Sequence, residues 1–209
     1  MGGDEAGWEA TYREAREQDL PWFSSTLDED TDATIRRLKA GPQDGPILDI
    51  GTGPGTFAIE MAKRKFHVVA CDISPSAIRM AMRRAGGHAA AVEWVTADLF
   101  TCRWPNRFQL IHDRGVYHSL PAQSRAKYAT LVPTWLRPGG HLILKTFHEE
   151  EPGDWGPNRI AKSELAKNFG ATMDTVDIAV SSFPGPTSSA AGSAPKAWRA
   201  VFRDRRPSS

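Results

Sequence analysis

Pro46-Ile47-Leu48-Asp49-Ile50-Gly51-Thr52-Gly53-Pro54-Gly55-Thr56-Phe57 is the stretch that decides the fold. Residues 46–50 read as a buried strand, and Phe57, Ala58, Met61 and Ala62 then recur at helical spacing. Three glycines at alternate positions separate the two. Strand, glycine turn and helix make the nucleotide-binding corner of a doubly wound sheet. Glycine permits the tight turn and lets the backbone approach a ligand where a Cβ would collide. Asp49 can accept hydrogen bonds from an ammonium group or from loop amides. A second strand, His67-Val68-Val69-Ala70-Cys71-Asp72, ends in a carboxylate able to hold ribose hydroxyls. A nicotinamide or flavin fingerprint, Gly-x-Gly-x-x-Gly, would put its third glycine where this chain has Thr56.

On either side of this corner the pattern alternates. Helices are expected over 8–20 and 30–40, ahead of the first strand and outside the sheet. Residues 1–43 therefore read as a helical cap and 44–209 as the main domain, the two forming one globular unit. Ser74, Pro75 and Gly86-Gly87 punctuate a helix after the second strand. Further strands are expected near 91–97, 108–112, 141–147, 172–181 and 196–203, with helices near 121–132 and 163–169. Alternating units imply a parallel sheet. The closing pair, with no clear helix between them, implies an antiparallel last strand. The fold class is α/β: a Rossmann-like, seven-stranded, mostly parallel sheet with helices on both faces.

The 209 residues carry 26 basic and 25 acidic side chains, so no electrostatic footprint for nucleic acid is expected. No run approaches the ~20 apolar residues of a membrane span, and no secretory signal is read at the N-terminus. Cys71 and Cys102, without a Cys-x-x-Cys or a His/Cys cluster, suggest a reduced, cytoplasmic protein with no metal site. A small-molecule acceptor, no membrane partner, and a monomer or homodimer complete the expectation.

From about residue 44 to 203 the chain resembles the class I S-adenosylmethionine-dependent methyltransferases. The resemblance rests on Leu48 to Gly55, on Asp72-Ile73-Ser74, and on Ala97-Asp98-Leu99-Phe100. Asp113-Arg114-Gly115-Val116-Tyr117-His118-Ser119-Leu120-Pro121 and Leu136-Arg137-Pro138-Gly139-Gly140 complete it, in family order and spacing. It implies S-adenosyl-L-methionine as cofactor. It assigns cofactor contacts to Trp22, Asp49, Gly51, Thr52, Gly53, Gly55, Asp72, Ile73, Asp98, Leu99, Asp113, Arg114 and Gly115, with Asp98 accepting from the adenine amino group. Asp113-Arg114-Gly115 and the segment from Gly156-Pro157 to Ser163-Glu164-Leu165 are similar to the thiopurine and small-thiol S-methyltransferases. In that group, aromatic residues like Tyr12 and Trp22 cover the cofactor.

His118, just after the fourth strand, is the best base candidate, weighed against a histidine bonded to the backbone. Tyr117 is a second catalytic candidate, weighed against packing or a cofactor wall. Tyr12, Trp22, His118, His148 and Trp155 are the expected acceptor contacts. His112 reads as core. Arg114 reads equally as a partner of the methionine carboxylate or of a neighbouring acid. A soft acceptor, a thiol first, needs little base help. A phenol or hydroxyl acceptor using His118 is the alternative. Two rivals lie outside this enzyme class: a non-catalytic partner subunit, opposed by the intact Asp49, Asp72 and Asp98, and a nicotinamide oxidoreductase, opposed by the glycine spacing.

Overall fold

The computed structural model of the chain describes residues 4–153, 156–185 and 193–206. The seven strands are β1 (Ile47–Ile50), β2 (Val68–Asp72), β3 (Val92–Thr96), β4 (Phe108–Arg114), β5 (Leu136–Phe147), β6 (Met173–Ser182) and β7 (Lys196–Asp204). They form one sheet in the order β3-β2-β1-β4-β5-β7-β6. The first five pair in parallel, and β7 runs antiparallel to both β5 and β6. This is the Rossmann-like arrangement that the sequence implied.

Helices cover both faces because the central strands are apolar on both. Ile47, Val68, Leu110 and Ile143 point toward Phe57 and Met61 of α3 (Thr56–Lys63) and Ile35 of α2 (Glu29–Arg37). Leu48, Val69, Ile111, Leu142 and Leu144 point the other way. There they meet Tyr128 of α5 (Ala122–Leu131), Phe169 of α6 (Lys162–Gly170) and Trp135. Successive residues of a strand face opposite sides, so one run of apolar residues feeds two cores.

Two boundaries differ most from expectation. The first helix, α1, spans Glu5–Glu14 rather than 8–20, because Asp4 caps it by accepting from the Gly7 amide. The chain then turns extended at Ala15, which brings Leu20 as well as Tyr12 onto Ala77 and Met80 of α4 (Pro75–Ala85). β5 begins at Leu136 instead of 141, its register with β4 shifting between the pairs Phe108–Leu136 and Leu110–His141. The intervening Pro138-Gly139-Gly140 makes a bulge within a strand rather than a turn before one. Among the described residues no helix is long and apolar enough to cross a membrane, and no cluster of His, Cys, Asp and Glu is arranged to hold a metal.

Candidate active site

The carboxyl ends of β1, β2 and β4 open into a cavity of about 900 Å³, at the point where the strand order reverses. Asp49, buried at the end of β1, accepts from Thr52 Oγ1 at 2.6 Å on one oxygen and from His112 Nδ1 at 2.8 Å on the other. Since that nitrogen meets a carboxylate, it carries the proton. The His112 ring stacks on Phe57 at 3.8 Å, so the expected core histidine is also a clamp on Asp49.

Gly51 and Gly53 have φ of +62° and +50°, in the left-handed region. A Cβ on Gly51 would lie 2.1 Å from Val116 Cγ2. Gly51→Ala is therefore expected to destabilise the fold by about 1–3 kcal/mol and to weaken nucleotide binding with it. Thermal unfolding read beside ligand titration checks this, and a variant as stable as the parent would refute it.

Asp72 Oδ2 accepts from the Gly53 amide and Oδ1 from the Ser74 amide, both at 2.9 Å, so the acid of β2 stitches the glycine loop to the start of α4. Burial pushes its carboxyl up to about 6, against the pull of those two amides, and the Asp49 charge adds to the rise. Asp98 accepts from the Phe100 amide at 2.9 Å on one oxygen and lines the cavity beside Leu99.

The N-terminal segment forms the opposite wall. Trp8, Tyr12 and Trp22 make an edge-on cluster, with Trp22 Nε1 donating to the Tyr12 hydroxyl at 3.1 Å. Glu9 and Asp28 are two of the residues that tie the segment down. Glu9 sits on the N-terminus of α4, accepting from the Ser74 and Ser76 hydroxyls at 2.7 and 2.6 Å and from the Ser76 amide. These bonds hold its carboxyl down at about 2. Asp28, itself buried, accepts from Lys145 Nζ of β5 at 2.7 Å and from Arg114 Nε of β4 at 2.8 Å. Lys145 also reaches Asp30 at 2.9 Å.

The far end of the cavity is aromatic. His118 lies between Phe147 and Phe183, with ring centroids 4.6 and 5.6 Å away, and the Phe147 amide donates to its Nδ1 at 2.8 Å. Burial, reinforced by Arg114 and Arg159, pushes the imidazole down to about 3, so it is neutral at physiological pH.

The cavity thus brings together Tyr12, Trp22, Asp49, Gly51, Thr52, Gly53, Asp72, Ile73, Asp98, Leu99, Arg114, Gly115 and His118. Four expected site residues do not line it. Gly55 faces α4, where a Cβ would lie 2.8 Å from that of Ala81, so its glycine serves helix packing. Asp113 points into the other face of the sheet and accepts from the Val116 and Tyr117 amides and the Tyr128 hydroxyl. Burial pushes its carboxyl up to about 6. Tyr117 is buried against Tyr128 and Phe169, its hydroxyl donating to Glu164 and accepting from Asn168. Its assignment as a catalytic group is withdrawn on that placement. His148 is buried too, stacked on Trp198 at 4.0 Å. Trp155 lies outside the described residues.

Arg114 resolves toward the acid: Asp28 takes Nε, while the Trp22 and Pro184 carbonyls take the other two nitrogens at 3.0 and 2.9 Å. The sequence reading missed Asp28, Lys145, Glu9 and Phe183. A lysine in an otherwise apolar strand, Leu142-Ile143-Leu144-Lys145, was the one local signal that a buried acid had to exist elsewhere.

A glycine corner, the carboxylates of Asp49, Asp72 and Asp98 lining one cavity, and the position of that cavity at the switch point define the ligand-binding edge of a doubly wound sheet. Residues 47–140 match the family described as methyltransferase domain. Over that segment the chain is similar to the class I S-adenosylmethionine-dependent methyltransferases. It is 29% identical over 167 residues to a 2-heptyl-1-hydroxyquinolin-4(1H)-one methyltransferase of Mycobacteroides abscessus, covering 76% of this chain and 72% of that one. It is 28% identical over 169 residues to a probable thiol methyltransferase of Arabidopsis thaliana, covering 79% and 70%. Among solved structures, one from work on conversion of a disulfide bond into a thioacetal group during echinomycin biosynthesis superposes with a TM-score of 0.80 at 22% identity. That match covers 96% of this chain and 92% of the other. The Burkholderia thailandensis 1,6-didemethyltoxoflavin N1-methyltransferase, with S-adenosylhomocysteine bound, gives 0.72 at 20% identity, covering 96% and 86%. At these identities the structures speak for the fold alone.

Proposed function

We propose that the protein transfers a methyl group from S-adenosylmethionine to a small acceptor bearing a soft or acidic nucleophile, a thiol first and an acidic hydroxyl second. The observation that carries this reading is a single cavity with two chemically different ends. At one end Asp49, Asp72 and Asp98 present carboxylates around a glycine loop whose Cβ-free face leaves room for a ligand. At the other end Trp22, Phe147, Phe183 and His118 present aromatic surface, suited to a small apolar body.

The residues present fit the cofactor. Asp49, fixed by Thr52 and His112, suits its ammonium; Asp72 has carboxylate lone pairs left for the ribose hydroxyls; Asp98 suits the adenine amino group, with Ile73, Leu99 and Val116 flanking. The cofactor, when bound, supplies an activated methyl on a sulfonium whose sulfur keeps the electron pair of the broken bond. The chain's own part is alignment and exclusion of water, which can supply several kcal/mol of the barrier. The N-terminal segment closes the cavity and serves the second task.

Both of the sequence relatives named above support the acceptor class. One is named for an aromatic N-hydroxy compound, the other for thiols, and each kind of acceptor is readily ionised. The test is methyl transfer from labelled S-adenosylmethionine to a panel of aromatic thiols, phenols, N-hydroxy heterocycles, amines and halide, with products identified by mass. Methylated thiol or acidic hydroxyl is the expected product. Turnover of amines alone would defeat the acceptor assignment, and no binding of S-adenosylhomocysteine would defeat the whole reading.

A further inference from the structure

We infer that His118 meets the acceptor as a hydrogen-bond donor through Nε2, and that the site therefore takes an acceptor whose nucleophilic atom is already ionised. This rests on the methyl-transfer reading above and adds the charge state of the substrate and the role of one residue.

The tautomer follows from one hydrogen bond. The Phe147 amide donates to His118 Nδ1 at 2.8 Å, so Nδ1 holds a lone pair there and the neutral ring carries its proton on Nε2. Nε2 lies beside Gly115, where an ideal Cβ would come within 3.2 Å of it, and both residues line the cavity. Among the described residues no acceptor takes that N–H.

Accepting a proton at Nε2 is opposed twice. The tautomer with a free Nε2 lone pair sets Nδ1–H against the Phe147 N–H, exchanging a hydrogen bond for two facing donors, and the imidazolium sets up the same conflict. Arg114 and Arg159 also bring positive charge against a protonated ring. The ring cannot turn to relieve this, being held between Phe147 and Phe183. The His118 backbone is fixed as well, its carbonyl accepting from Asn158 N and Nδ2 at 3.0 and 2.8 Å.

The surroundings that repel a proton attract an anion. Arg114 lines the cavity and Arg159 adds positive charge within reach of His118, and the negative charge of Asp28 on the same cavity is shared between Arg114 and Lys145. An ionised acceptor brings its own lone pair and leaves no proton for an enzyme group to take. A thiol or an acidic N- or C-bound hydroxyl on an aromatic body meets these conditions; an aliphatic alcohol or ammonium does not.

Two measurements test the inference without turnover. Ring ¹⁵N shifts of His118 give the tautomer directly: Nε2–H is expected across neutral pH, and a ring protonated on Nδ1 would overturn the inference. Second, a panel of nitrophenols and aromatic thiols, whose ionised forms absorb at longer wavelength, is bound in the presence of S-adenosylhomocysteine and titrated with acid. Bound probes are expected to ionise about tenfold more readily than free ones, the effect of one charge-assisted hydrogen bond. His118→Phe, which keeps an aromatic ring, should abolish that shift. His118→Gln, which can accept from the Phe147 amide and still donate, should retain most of it. Probes bound with unchanged acidity, or no probe bound while S-adenosylhomocysteine binds normally, would overturn the inference and leave the methyl-transfer reading standing. Failure of S-adenosylhomocysteine itself to bind would strike that reading instead.

Discussion

Asp72→Ala is expected to lower affinity for S-adenosylhomocysteine by at least about a hundredfold. Two ribose hydroxyls donating to a carboxylate are worth ~1.5–3 kcal/mol each, and every ~1.4 kcal/mol is a factor of ten. The same carboxylate holds the Gly53 and Ser74 amides, so the loop that cradles the ligand loosens at the same time. The effect on folding is thus larger than a ribose contact alone would predict. Asp72→Asn separates the two roles by keeping a carbonyl oxygen while losing the charge.

The pH dependence follows with a definite sign. Burial pushes Asp72 up to about 6, above the ordinary carboxylate value of ~3.9. The folded protein therefore binds the extra proton between those limits, and the contribution of Asp72 to stability falls as pH rises from about 4 to about 6. Asp113, also raised to about 6, acts in the same direction. Glu9, held down at about 2, opposes them: its contribution is present above the unfolded value and is lost as pH falls toward about 2. Comparing wild type with Asp72→Asn cancels the other groups, and wild type should lose stability relative to the variant across that window. Ligand hydroxyls favour the ionised form, so S-adenosylhomocysteine should bind more tightly as pH rises through about 6, with proton release. Calorimetry in buffers of different ionisation heat measures this. Affinity independent of pH across that window would show that Asp72 does not hold the ribose.

Asp28→Ala is expected to cost about 3 kcal/mol of stability, or about 6–12 °C in Tm for a domain of this size. The loss comes from what remains: Lys145 Nζ, with a side chain only 1% exposed, would keep Asp30 as its one acid, and Arg114 would keep only backbone carbonyls. A buried charge stripped of its partner is worse than no charge, so Asp28→Leu with Lys145→Met should recover part of the loss. Hydrogen exchange should rise over residues 20–30 in Asp28→Ala, since those bonds are what hold this segment against β4 and β5. Unfolding by urea and by heat checks the first expectation. A variant as stable as the parent would mean that the ion pair does not anchor the cap.

Lys145 and Asp28 also mark the boundary between what was legible in the sequence and what was not. The glycine corner could be read because its requirements are local. Left-handed φ at Gly51 and Gly53 and an acid two residues before the first glycine are satisfied within a few residues, and they leave a mark at fixed spacing. The same holds for β2 ending in Asp72 and for Ser74 and Pro75 starting α4. Their side chains point to the cavity because strands in a parallel sheet all end on one edge.

Residues 113 to 118 were only half readable, since a motif gives positions and not directions. Arg114, Gly115 and His118 face the cavity, while Asp113 and Tyr117 turn to α5 and α6 and hold the loop from behind. His118 looked like a base by position, and one backbone amide from Phe147, 29 residues away, fixes its tautomer. Asp28 and Lys145 meet across 117 residues. The sequence by itself determined the sheet, the glycine corner and the acids that line the cavity, because periodicity and turn chemistry are short-range. Only the tertiary structure decided which histidine nitrogen holds the lone pair, which acid ties the N-terminal segment to β4 and β5 and which motif residues are scaffold. Those depend on contacts between segments far apart in the chain, whose geometry no local spacing encodes.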